Sequence, residues 1–307
     1  MRMTNNIMIN NLKHNISRNM YRLSTLDTML STGKRINKPS DDPTGIVNSL
    51  RLSSRLKETT QYQGNVADAK SWLESTDSAL GSLNAVLNRV YELTVKAANG
   101  PLSVEDRGTI MEELSQLKNE VITIANTSHG DRYVFGGRNT TEPPYQGTDW
   151  ITPLNTAQIN YEIGVGITVP VNVTADQVFS AGQPGDPDDP AAPQDLLTTL
   201  QQIIDHMSSG VTEDINKLGN EDLERLKLNI DTVLSARAQI GARVNRLEMA
   251  SDRLYELEIN LTSLKEDVEG VDPAKVILDM KNQENVYTAA LAVGARIIQP
   301  TLMNFLN

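Results

Sequence analysis

Between Val66 and Ala97 the chain carries a seam that restricts the fold more than any other stretch. Steps of three and four select Val66, Ala69, Leu73, Thr76, Leu80, Leu83, Leu87, Val90, Thr94 and Ala97, with no charged residue among them. That rhythm is the 3.5-residue repeat of a helix packed lengthwise against other helices. At about 1.5 Å per residue the segment is a rod of about 48 Å, which needs a partner of similar length. Leu223, Leu226, Ile230, Val233, Arg237, Ile240, Val244 and Leu247 keep the same spacing. After one extra step of three, Ala250, Leu254, Leu257, Leu261, Leu264 and Val268 continue it. Arg237 is the polar member, and Gly241 and Asn245 sit off the stripe. Two seams so far apart in sequence predict a mainly α fold. In it an elongated antiparallel helical rod is formed by both halves of the chain, and what lies between them is a small β-rich insertion at the tip.

The rest of the chain divides around this rod. Ile9, Leu12, Ile16, Asn19, Leu23, Leu26 and Leu30 mark a first helix that Gly33 ends. After a polar loop, Asp42-Pro43 reads as an N-cap followed by a first-turn proline. Gly100-Pro101 is a corner, Ser103 with Asp106 starts a third helix, and Gly130 is expected to close it. Residues 131–181 turn to Gly, Thr, Pro and β-branched types. There Gln158–Ile163 and Ile167–Val173 predict a hairpin, with Pro170 marking an edge strand. Residues 182–194 read as linker and 196–207 as a short amphipathic helix, with 210–220 a connection to the second long helix. Asp272-Pro273 repeats the cap-plus-proline start. The final helix has Val276, Met280, Gln283, Tyr287, Ala290, Gly294 and Ile297 on one stripe and Ile277, Leu291, Ile298 and Phe305 beside it. Three domains follow: 1–42 with 271–307 (terminal helices), 43–130 with 195–270 (rod) and 131–194 (insertion and linker).

Each terminal helix is one thin amphipathic element, too slight alone to offset an ordering cost of about 1–2 kcal/mol per residue. The expectation is that both order when equivalent helices of adjacent subunits surround them. Such a head-to-tail contact generates rings or helical tubes. Its expected residues are Leu12, Ile16, Leu23, Leu26 and Leu30 with Val286, Leu291, Ile297, Ile298 and Leu302, although an intramolecular two-helix contact would use the same side chains.

Bulk properties narrow the function classes. Cysteine is absent, which removes disulfides, thiolate metal sites and Cys nucleophiles. Net charge is −11, yet residues 1–62 hold ten Lys/Arg against four acids, leaving −17 on the remainder. The basic residues are not interleaved with aromatics, so nucleic-acid binding is not expected. No apolar segment follows Arg2 as a signal peptide would require, and 285–306 is too diluted by polar residues for membrane insertion. His14, His129 and His206 are far apart and read as helix-surface or helix-end residues. Gly136-Gly137 is no nucleotide loop, and Asp186, Asp188 and Asp189 lack the spacing of a calcium loop. No cofactor, metal or catalytic set is expected. Asn139-Thr140-Thr141 is a bare sequon.

Particular residues then carry a resemblance. Leu30-Ser31-Thr32-Gly33-Lys34-Arg35-Ile36-Asn37 with Pro39-Ser40-Asp41-Asp42-Pro43 resembles the N-terminal signature of bacterial flagellins and their junction relatives. Arg237–Met249, Asn260-Leu261-Thr262 and Val271–Leu306 resemble the paired C-terminal signature. The start Met1-Arg2-Met3-Thr4, the passage Asn126 to Gly137 with Pro143-Pro144-Tyr145, and the ending Thr301–Asn307 are closer to the junction relatives than to the filament subunit. The short acidic insert departs from that pattern.

The resemblance implies a structural subunit, not an enzyme, leaving the cell through the flagellar type III export channel. Implied partners are copies of itself in a ring, hook-associated protein 1, flagellin and a cytoplasmic export chaperone. The chaperone would bind Val276, Met280, Tyr287, Leu291 and Phe305. Arg35, Asp41, Asp42, Arg243 and Asn245 would lie at subunit boundaries. A filament subunit and a coiled-coil scaffold are the rival readings.

Overall fold

The computed structural model describes residues 2–99, 103–147, 149–150, 156–180, 195–209 and 212–298. In chain order these form α1 (Arg2–Thr32), α2 (Pro43–Asn99), α3 (Val104–Ala125), β1 (Ser128–His129), β2 (Arg132–Tyr133), β3 (Tyr145–Gln146), β4 (Asp149–Trp150), β5 (Asn160–Gly164) and β6 (Ile167–Pro170). Then come α4 (Ala175–Phe179), α5 (Leu196–Ser209), α6 (Thr212–Lys217), a π-helical turn (Leu218–Asp222), α7 (Leu223–Glu269) and α8 (Pro273–Ile298). The chain is mainly helical, with long helices and a small β-containing region in the middle, as the heptad pattern predicts. It divides into two compact units, residues 1–59 with 256–307 and residues 60–255.

In the larger unit all ten seam positions from Val66 to Ala97 are buried. Thr76 and Thr94 fit among aliphatic side chains because each hydroxyl donates to the carbonyl four residues back, Trp72 and Val90, at 2.8 Å. Helix α7 runs antiparallel to α2 here. Lys70 meets Glu248 at 2.7 Å, Asp77 meets Arg237 at 3.0 Å, and the Lys227 ammonium lies over the Tyr91 ring at 5.8 Å. Helix α3 folds back beside α2, with Arg89 reaching Glu113 at 2.7 Å. Its buried stripe is Ile110, Leu114, Val121 and Ile124.

Among the described residues the β region holds three separate two-stranded antiparallel hairpins. Gly130 does not cap α3 as expected. The helix stops at Ala125, and Gly130 with Asp131, at φ +53° and +63°, turns β1 into β2. Two successive positive φ values suit a tight hairpin turn, which is why glycine is needed there. The β5–β6 hairpin forms where expected, but its second strand ends at Pro170. Beyond it Asn172 turns inward, accepting from Ile159 N at 2.8 Å and donating to Ala157 O at 3.0 Å.

An aromatic cluster fills the middle of the region, with Phe135, Trp150 and Tyr145 each in ring contact and Phe179 shared between Phe135 and Trp150 at 5.3 Å. Trp150 Nε1 donates to Asp195 Oδ1 at 2.7 Å, and Asp195 Oδ2 caps α5 through Thr198 N at 3.0 Å. The expected connection over 210–220 is helical across its described residues, ending in the π turn. His206 is no free surface residue, because its Nδ1 lies 2.7 Å from the buried Asp222. His129 lies on β1 with its ring edge-on to Trp72 at 5.8 Å.

In the smaller unit α1 packs along α8. The contact is possible because Gly294 presents no side chain: a Cβ there would come within 2.9 Å of Leu12 Cδ2. Gly33, at φ +68°, ends α1 as expected. Asp42 caps α2 by accepting from Gly45 N at 2.9 Å, which holds its carboxyl below the usual range.

Candidate assembly interface

The terminal helix pair is the place to look for an interface, because it exposes more large apolar side chains than two helices can bury between them. Of the expected set, Leu12, Ile16, Leu23, Leu26 and Leu30 are half-buried on α1. Leu12 lies against Gly294, and Leu26 lines an open groove of about 480 Å³ shared with Tyr21, Arg22, Thr25, Asp279, Asn282 and Gln283. Leu12 and Leu26 thus take part in the contact within the chain that the sequence left as an alternative. Val286 and Leu291 point outward, 51% and 44% exposed. Ile297 and Ile298 close α8, and their side chains, like all of Leu302 and Phe305, lie outside the described residues.

Helix α8 is apolar well beyond the stripe that α1 covers. Val276 is buried and Met280, Gln283, Tyr287 and Ala290 are half-buried, which is the stripe turned toward α1. Around the rest of the helix Ile277 and Leu291 flank that stripe on one edge and Leu278, Val286 and Val293 lie toward the back and the other edge, all exposed, together with Ile7, Met8, Met20 and Tyr21 on α1. Apolar side chains in this number around a helix pair make it a candidate association surface.

The motif residues split. Arg35 and Asp42 are joined at 3.5 Å, and Asp41 Oδ2 accepts from Asn37 N at 3.1 Å and Lys38 N at 2.8 Å, folding the loop on itself. Arg35 also donates to Val268 O at 2.9 Å, and its backbone N–H to Glu269 O at 2.7 Å. Arg243 belongs to the other unit. It is half-buried, donates to Asn172 O at 3.2 Å, and burial depresses its pKa. Asn245, two residues on, is exposed. Sequence reasoning missed Ser49, whose buried hydroxyl donates to Glu269 Oε2 at 2.6 Å, and missed Glu269 itself. A glutamate immediately before the Gly270 stop was the one available signal. Among the described residues no His, Cys, Asp or Glu cluster could hold a metal ion, and no helix is long and apolar enough to cross a membrane.

Comparison with known proteins gives this arrangement a family. The bacterial flagellin N-terminal helical region matches residues 3–140, and the bacterial flagellin C-terminal helical region matches 223–306. Flagellar hook-associated protein 3 of Escherichia coli is 25% identical over 253 residues, covering 79% of this chain and 80% of that protein. Bacillus subtilis flagellin is 26% identical over 303 residues, covering 97% of each. The crystal structure of the flagellar junction protein FlgL from Legionella pneumophila superposes with a TM-score of 0.56 at 19% identity, covering 72% of this chain and 99% of that one. With both helical regions matched in order across well over half its length, the chain belongs to the bacterial flagellin family, whose members are structural components of the flagellum.

Proposed function

We propose that this chain is the subunit of the hook–filament junction, of the hook-associated protein 3 type, assembling head to tail with copies of itself into a ring. The observation that supports the reading is the apolar surface that α8 keeps exposed outside its stripe toward α1. After α1 has covered Val276 and its neighbours, Ile277, Leu278, Val286, Leu291 and Val293 stay in water. Each is already about half covered, so completing its burial gains about half of the roughly 1.5–3 kcal/mol that a fully exposed side chain would, and equivalent helices of adjacent copies are the natural cover. Hook-associated protein 1 on one side of the ring and flagellin on the other are the neighbours this role requires, outside the cell.

Export through the flagellar type III channel with a cytoplasmic chaperone belongs to the same reading. Of the chaperone set, Val276, Met280 and Tyr287 lie on the stripe toward α1, Leu291 is exposed beside it, and Phe305 lies outside the described residues. Chaperone and α1 thus compete for α8, and release of the one permits the pairing of the other.

The test is complementation of a deletion strain. The unaltered chain restores filaments, whereas Val286→Asp and Leu291→Asp together give a soluble, equally helical protein that leaves hooks bare and sheds flagellin into the medium. The filament subunit is the second reading, favoured by the full-length alignment with Bacillus subtilis flagellin. A deletion that abolishes filament protein itself, with no flagellin in the medium, would establish that reading instead.

A further inference from the structure

The loop after α1 is fastened to the corner between α7 and α8 by contacts that converge on one carboxylate. Lys34 pairs with Gly270 in an antiparallel bridge, and Arg35 N donates to Glu269 O at 2.7 Å. The Arg35 guanidinium takes up Val268 O, one of the carbonyls a helix end leaves without an internal partner. The Glu269 side chain, 12% exposed, accepts from Ser49 of α2 at 2.6 Å and pairs with Lys34 of the loop at 3.0 Å and Lys265 of α7 at 3.6 Å. Ile36 is buried beside Gly45, closing the loop against the first turn of α2. One side chain thereby ties three segments that meet where α1 and α8 begin or end.

We propose that Glu269 is a positioning residue for assembly, latching both corners together so that the α1/α8 pair is carried as one body. The proposal rests on the junction reading, since it concerns how that reading's interface is presented. A ten-residue loop, 33–42, would otherwise leave α1 free to depart from α8, and an interface made from two helices works only if both arrive in one arrangement. Burial pushes the Glu269 carboxyl up, but the Ser49 and Lys34 contacts outweigh it and hold it below the usual range, so the latch is charged at neutral pH. The other charges at the corner are Lys34, Arg35 and Asp42 on the loop side and Lys265 on α7.

The experiment uses the full chain with Glu269→Gln and, separately, Ser49→Ala. Amide exchange at Arg35 and proteolysis within 33–42 report the latch, and addition of purified protein to hooks of deletion cells reports incorporation. Glu269→Gln is expected to speed Arg35 exchange about tenfold or more, the size of a charge-assisted hydrogen bond lost, with helicity unchanged and incorporation falling in parallel. Ser49→Ala moves both readouts less in the same direction. In the unaltered chain, protection of Arg35 drops as pH falls below the ordinary carboxylate range, a step missing from the Gln variant. Unchanged exchange in Glu269→Gln overturns the latch. An open latch with undiminished incorporation overturns the positioning role and leaves the junction reading standing. Failure of the unaltered chain to incorporate overturns the junction reading and the positioning role with it, while the exchange data still decide whether the latch exists.

Discussion

Leu12 Cδ2 occupies the space where a Cβ on Gly294 would lie, 2.9 Å away, so α1 and α8 approach each other through a missing side chain. The atom in the way is the end of a flexible side chain. Gly294→Ala can therefore be absorbed by a turn of Leu12, and the gain in helix propensity, about 1 kcal/mol, roughly cancels the displacement. Gly294→Val has no such escape and should cost about 1–3 kcal/mol by overpacking. Denaturant unfolding of the two variants checks this. A Val variant as stable as the Ala variant would mean that the helices do not meet at this point.

Gly45 is tighter. A Cβ there would sit 2.5 Å from both Asp42 Oδ2 and Ile36 Cδ1, and neither can retreat without losing the α2 cap or the buried isoleucine. Gly45→Ala is expected to destabilise by about 1–3 kcal/mol, the combined scale of a lost N-cap and overpacking. The corresponding test at Gly33, where nothing lies within 4 Å but φ is +68°, separates strain from crowding. Gly33→Asn should be tolerated, since asparagine accepts that conformation, and Gly45→Asn should not.

What the sequence made legible follows from what periodicity measures. It reports which face of a helix is apolar, and every seam position of α2 from Val66 to Ala97 is indeed buried. It does not report what covers the face. Leu257 and Leu264 continue the α7 seam yet are 43% and 52% exposed, while the α8 stripe of Val276, Met280, Gln283, Tyr287 and Ala290 is buried or half-buried within the chain. Contacts made by single polar residues across long separations were invisible for the same reason. Arg243 with Asn172, His206 with Asp222, and Ser49 with Glu269 leave no periodic trace. The π turn was missed because Gly219-Asn220 looks like a loop, and only the fold shows that its helical path carries Asp222 inward to His206.

That buried pair gives a pH prediction. Burial raises the Asp222 carboxyl above its ordinary value despite the contact with His206, and its Oδ1 has no partner among the described residues. A carboxyl with a raised folded pKa favours the folded state most when protonated. Its contribution is full below the unfolded value and is lost as pH rises through the folded one. The unaltered chain should therefore gain stability relative to Asp222→Asn as pH falls from neutral toward the ordinary carboxylate range. Paired unfolding curves at several pH values check it, and a relative loss on acidification would show that the pair is governed by His206 instead.

The rod offers a contrast between burial and charge at neighbouring seam positions. Leu80 and Leu87 are fully buried, so truncation to Ala removes packed atoms that the surrounding helices cannot replace, at about 2–5 kcal/mol each. Arg237 interrupts the facing seam, and its guanidinium grips Asp77 through two hydrogen bonds of 3.0 and 3.1 Å. Its side chain is nevertheless 35% exposed and that of Asp77 42%, so water screens the pair and its net worth is about 0–1 kcal/mol. Arg237→Leu supplies the apolar side chain the repeat calls for and should leave stability within about 1 kcal/mol of the parent. Thermal or denaturant unfolding of the three variants ranks them. A loss at Arg237 as large as at Leu80 would mean that the ion pair, and not the aliphatic seam, sets the register between α2 and α7.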